Sequence, residues 1–103
     1  MRFMVKCTIP TEIANPLITS GTLFKQLMRY VDEVKPEALY FTPCDGQRTI
    51  YFVLDMPRID KMALVTEPPW LDWEADVDMT PVMTLADLEK MGPDMEKIVR
   101  DRR

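Results

Sequence analysis

Histidine is missing from all 103 residues. Its absence removes histidine-ligated haem, histidine-containing zinc sites and any Ser-His or Cys-His nucleophile pair. Acid–base chemistry would have to fall to carboxylates, lysine, tyrosine or cysteine. Cysteine itself is scarce. Cys7 and Cys44 form neither a metal-binding spacing nor a disulfide framework, so free thiols in a reducing compartment are expected. No apolar run approaches the length of a membrane span. Met1 to Thr8 reads as a strand and not as the apolar core of a secretory signal, and a cytoplasmic location is the expectation. A dense basic stretch is also lacking. Thirteen Lys and Arg against seventeen Asp and Glu leave a net charge of −4, which disfavours displacing counterions from nucleic-acid phosphates. The one basic cluster, Lys97, Arg100, Arg102 and Arg103, suits the end of a helix, where cations oppose the dipole. No metal, cofactor, nucleic acid or membrane is expected as a partner.

What is present is ordinary for a globular chain: 47% hydrophobic and 29% charged residues, enough for one domain over residues 1–103 with a modest core. Nine methionines read as core gap-fillers. The most informative stretch is Glu37 to Asp55. Two runs of β-branched and aromatic residues flank Asp45-Gly46, a dipeptide suited to a type I′ turn. With those two as the loop, Cys44 faces Gln47, Thr42 faces Thr49, Phe41 faces Ile50, Tyr40 faces Tyr51 and Leu39 faces Phe52. The register sorts Leu39, Phe41, Ile50 and Phe52 onto one face, and Tyr40, Thr42, Thr49 and Tyr51 onto the other. A three-residue loop would mix the two sets.

Around this hairpin the chain alternates elements. Arg2 to Thr8 is a strand with Phe3, Val5 and Cys7 on one side. Asn15-Pro16 is the expected cap and first turn of a helix running to about Val34, with Leu17, Phe24, Leu27, Met28 and Val31 as its buried stripe and a break possible near Gly21. Arg58 to Val65 is a short second helix that Pro68-Pro69 should end. Asp72 to Pro81 alternates as a fourth strand, Trp73, Ala75, Val77 and Met79 against Glu74, Asp76, Asp78 and Thr80. Thr84 with Asp87 opens a last helix, which Gly92-Pro93 interrupts. Residues from about 84 to 103 are thus a C-terminal helical extension. The order strand, helix, strand, strand, helix, strand is that of an α+β, ferredoxin-like βαββαβ fold. It predicts a four-stranded antiparallel sheet with helices on one face.

The opposite face would carry Met4, Lys6, Tyr40, Thr42, Thr49, Tyr51, Val53, Asp55, Glu74, Asp76 and Asp78. A merely solvated face is one reading. Its apolar content favours the other, a homodimer through this helix-free face. Lys6, Tyr40, Tyr51, Asp55, Glu74 and Asp76 are the candidates to line a ligand pocket there. The tyrosines offer ring surface and hydroxyls, and a buried carboxylate would offer acid–base chemistry. The competing reading pairs Lys6 with Asp76 or Asp78 across strands. Trp70 and Trp73 are candidates for the pocket mouth or, alternatively, anchors of the Pro68-Pro69 segment. No motif assigns a catalytic residue.

KPEALYFTPCDGQRTIYFVLD, Lys35 to Asp55, together with EPPWLDWEADVDMTPVMTLADLEKMGP, Glu67 to Pro93, resembles small, functionally uncharacterised bacterial proteins of the dimeric α/β-barrel superfamily. The resemblance implies ferredoxin-like protomers whose sheets pack face to face into a barrel. Superfamily members include cofactor-independent monooxygenases, muconolactone-type isomerases, sugar mutarotases, haem-degrading enzymes and stress-responsive proteins. The missing histidine departs from the haem-binding and several mutarotase members. The expected function is binding of a small, partly apolar molecule between sheets. The alternatives are a monooxygenase- or isomerase-like enzyme, or an interaction or stress-response module with a packed barrel.

Overall fold

A four-stranded antiparallel sheet forms the centre of the computed structural model, which describes Met1 to Arg103. In chain order the elements are β1 (Arg2–Ile9), α1 (Thr11–Thr19), α2 (Thr22–Val34), β2 (Ala38–Cys44) and β3 (Gln47–Asp55). A single 3-10 turn, Ile59–Lys61, leads into α3 (Met62–Trp73), followed by β4 (Asp76–Pro81), α4 (Leu85–Lys90) and α5 (Gly92–Asp101). Across the sheet the order is β2-β3-β1-β4.

The β2–β3 hairpin has the register expected from its sequence, from Leu39 opposite Phe52 to Cys44 opposite Gln47. Asp45 and Gly46 both take positive φ, 52° and 76°, as a type I′ turn requires. Alternation along β1 and β3 then divides the sheet. Phe3, Val5, Cys7 and Ile9 join Ile50, Phe52 and Leu54 in the buried core beneath the helices, while Met4, Tyr40, Asp76 and Asp78 on the other face are exposed.

The first helical segment differs from expectation. Asn15 and Pro16 lie inside α1, whose cap is Pro10. Proline lacks the N–H that would bond the carbonyl four residues back, but that partner is the exposed Glu12, so water can take its place. The break near Gly21 is real: Gly21 has φ 76° and caps a separate α2. This restart rotates the buried stripe. Leu23 and Tyr30 are buried with Leu27 packed against the core, whereas Phe24 and Met28 point to solvent.

The largest correction concerns Pro68 and Pro69. The helix continues through both and ends only at Trp73. Pro69 leaves the carbonyl of Val65 without its helical donor, and the Tyr30 hydroxyl, at 2.5 Å, donates to that oxygen instead. Pro68 leaves the carbonyl of Leu64, a residue on the exposed side. The helix then closes at Glu74, whose φ of 48° is left-handed, with N–H groups of Glu74 and Ala75 donating to Trp70 and Pro69 carbonyls. Strand β4 accordingly starts at Asp76, four residues later than expected. Trp73 is helical and 1% exposed. Its indole N–H donates to Gln26 Oε1 at 2.9 Å, and its ring meets Tyr30 edge-on at 5.7 Å between centroids.

Thr84 and Asp87 form a full capping box, but neither α4 nor α5 buries a residue. The radius of gyration is 17.6 Å, against about 13 Å for a compact chain of this length, and the extents are 61 × 28 × 19 Å. The C-terminal segment projects from the domain. No helix is long and apolar enough to cross a membrane.

The Tyr30–Val65 bond yields a stability prediction. Tyr30→Phe keeps the ring contacts and orphans a buried carbonyl, so unfolding free energy should fall by about 1–3 kcal/mol, read as a lower urea midpoint at unchanged m-value. Tyr30→Phe with Pro69→Ala, which returns a backbone donor to Val65, should recover much of the loss.

Candidate functional site

The expected pocket residues separate into those the sheet brings together and those it does not. Tyr40, Tyr51, Lys6 and Asp78 form one continuous row across β2, β3, β1 and β4. Asp76 lies one row along, beside Thr8. Asp55 sits at the far end of β3, where the Met1 amine at 3.1 Å and the Arg2 guanidinium at 3.9 Å pair with it. Its role is to tie the start of β1 to the end of β3. Glu74 is not on the sheet face at all, because it caps α3. Trp73 is core, not a pocket mouth, while Trp70 lies on the exposed surface of α3.

Within the row, the Lys6 ammonium stands 5.8 Å from the centre of the Tyr51 ring, within the reach of a cation–π contact. Tyr51 leans toward the turn, its hydroxyl donating to Cys44 Sγ at 3.9 Å, and Thr49 between them is only 2% exposed. The Cys44 thiol first, and then the Tyr51 phenol, push the Lys6 pKa above its ordinary value. That direction is the reverse of a lysine prepared for nucleophilic attack. Met4, Lys6, Tyr51, Asp78, Thr80 and Val82 border an open hollow of about 470 Å³ on this face.

A second recess lies on the helix side. The hairpin extends past the helices at its turn end, so Phe41 on β2 is 57% exposed. Between it and α1–α2 opens a cleft of about 370 Å³, walled chiefly by Ile9, Ile18, Leu23, Leu27, Phe41 and Ile50. One charged side chain, Arg48, lines it. Its guanidinium donates to Asn15 Oδ1 at 2.9 Å and has no carboxylate partner among the ion pairs. Arg48 alternates into the apolar set of β3, which masks it in the sequence. The signal was there, since a cation in register with Ile9 and Pro43 breaks an otherwise greasy face. Cys44 reads as a plain thiol by composition, although its register opposite Gln47 puts it on the face of Tyr51.

Two carboxylates away from both recesses are shifted, and both move down. Glu37 is lowered by its hydrogen bonds from Arg2, and Asp87 by those from the Thr84 backbone and hydroxyl. Neither is raised toward neutrality, as a general acid would be. No group of three or more Cys, Asp or Glu side chains converges as a metal site would need.

No family model and no curated protein matches the chain. Among solved structures it is similar to the X-ray structure of protein Atu4242 from Agrobacterium tumefaciens, a structural-genomics target. The two are 12% identical with a TM-score of 0.47, over 82% of this chain and 96% of the other.

The two thiols differ sharply in environment. Burial pushes Cys7 up to about 12 from an ordinary 9.0, whereas Cys44 reaches the surface. A thiol reagent at pH 8 should modify one cysteine per native chain, and peptide mapping should find it at Cys44. The same shift sets an alkaline dependence. Below pH 9 both folded and unfolded chains keep the Cys7 proton. Between pH 9 and 12 the unfolded chain loses it first, so stability should fall as pH rises through that window. Melting temperatures for the protein and for Cys7→Val should show a shallower fall in the variant.

Proposed function

We propose that the chain is a ferredoxin-like protomer of a homodimeric α/β barrel, and that it binds a small molecule with an apolar body and a carboxylate head. One observation carries the ligand class: an apolar cleft whose single charged wall residue, Arg48, lacks an anionic partner in a protein of net charge −4. A cleft of about 370 Å³ is at the lower end of small-molecule sites, which run from roughly 300 to 1,000 Å³. Guanidinium suits the planar, two-pronged geometry of a carboxylate, and Asn15 holds it in place. The walls then take up the apolar body, in proportion to the area removed from water.

The strand order supports the fold part of the proposal. Each helical crossover, β1 to β2 and β3 to β4, returns to a strand two places away, with one strand of the other unit between them, the arrangement of a split βαβ pair. Exposed Met4 and Tyr40, 42% and 67% accessible, with half-buried Val53 beside them, support sheet-to-sheet pairing of two copies. A second reading places the ligand between those sheets, at the Lys6–Tyr51–Asp78 row, and the hollow of about 470 Å³ there favours it.

Calorimetric titration with octanoate and with octanol tests the site. Octanoate should bind the protein, and Arg48→Gln should weaken it about 10- to 100-fold, the scale of a lost charge-assisted hydrogen bond. Octanol should bind both proteins alike. If Lys6→Gln weakens octanoate and Arg48→Gln does not, the ligand belongs on the sheet face. No saturable binding of either compound would sink the proposal. The dimer is tested separately by light scattering at micromolar concentration, which should return twice the 12.0 kDa chain mass.

A further inference from the structure

Helices α4 and α5 carry an apolar stripe that their own chain leaves uncovered. Leu85 and Leu88 on α4, then Met95, Ile98 and Val99 on α5, recur at helical spacing, and all five are exposed. An amphipathic helix gains its stability by burying such a stripe, yet here the segment stands out along a 61 Å axis. Its charge is as distinctive as its shape. From Lys97 to Arg103 there are four cations and one acid, and none of the cations is in an ion pair.

A complementary surface occurs on the same molecule. At the end of α3, Trp70 and Leu71 are exposed large apolar side chains. Beside them are Asp72 and Glu74, both exposed and both without an ion-pair partner. One surface is apolar and basic, the other apolar and acidic, and the chain that carries both brings neither to the other.

We infer that residues 83–103 form an exchanged arm that docks on a second copy of the chain. Met95, Ile98 and Val99 lie against the surface made by Trp70 and Leu71, and Lys97, Arg100, Arg102 and Arg103 face Asp72 and Glu74. Two-fold symmetry makes the exchange reciprocal, so each dimer contains the contact twice. Burial of the stripe supplies the attraction, and the charges set partner and register. This rests on the homodimer proposed above but not on contact between the helix-free sheet faces.

Zero-length carbodiimide cross-linking of an equal mixture of ¹⁴N and ¹⁵N protein tests it, with light scattering on the same sample. Lys97 should become joined to Asp72 or Glu74 in peptides of mixed isotope. The double substitution Ile98→Glu/Val99→Glu, at positions the folded protomer leaves exposed, should abolish those peptides and raise the dimer dissociation constant at least tenfold. Reversing the acids with Asp72→Lys/Glu74→Lys should also weaken the dimer, and adding Arg102→Glu/Arg103→Glu should restore it. Cross-links confined to single-isotope peptides would mean that the arm folds back on its own chain, overturning the inference. A dimeric mass without Lys97 cross-links and without effect of Ile98→Glu/Val99→Glu would overturn the arm while leaving the dimer intact. A mass of one chain would overturn both.

Discussion

A single phenol joins the parts of this core that are far apart in sequence. Tyr30 reaches from α2 to α3, where its hydroxyl donates to the Val65 carbonyl. Its ring meets Phe52 of β3 at 5.9 Å and Trp73 at the end of α3 at 5.7 Å, both edge-on. Edge-to-face packing lets the positive rim of one ring meet the negative face of another. Burial drives the tyrosine's pKa well above its ordinary value, so the hydroxyl remains a donor. Without that donor, the Pro69 position would leave an unpaired oxygen in the interior, and α3 would have reason to end where its sequence suggests. With it, α3 runs on to Trp73 and seals the side of the sheet beside β4.

That closure divides the chemistry of the molecule. The helix face takes nearly all the buried apolar surface of β1 and β3, but it does not extend over the turn end of β2. The apolar cleft beside Arg48 follows from that mismatch in length between sheet and helical cover. The helix-free face holds the hydrogen-bonding groups, with Lys6, Tyr51 and Cys44 constraining one another in a small polar cluster. The cleft carries Arg48 in its wall, and the helix-free face carries Lys6 beside its hollow.

Legibility in the sequence followed the range of the interactions involved. Alternation and the Asp45-Gly46 turn act over a few residues, so the hairpin register, with Tyr40 opposite Tyr51, could be read directly, whereas the place of Lys6 beside Tyr51 depends on β1 pairing with β3. The capping box at Thr84 and the restart at Gly21 are equally local. Glu74, assigned to a strand face by continued alternation, turned out to be a helix cap, because the pattern of β4 extends by coincidence into the end of α3. Asp55 was correctly placed on its strand, but its pairing with the start of β1 removes it from any pocket. Arg48 had a readable position, yet its significance depends on α1 and α2 stopping short above it.

By itself, then, the sequence determined the four strands, their alternation, the type I′ turn and the exclusion of every histidine-based chemistry. These depend on residue type and nearest neighbours. Tertiary structure alone decided that the helix passes through Pro68-Pro69, that Trp73 is core, that the cleft opens over Phe41 and that the C-terminal helices stand away from the domain. Each of those outcomes turns on whether a distant group arrives to satisfy or cover a local one. Tyr30 does so for the Val65 carbonyl, and no part of the same chain does so for the stripe on α4 and α5.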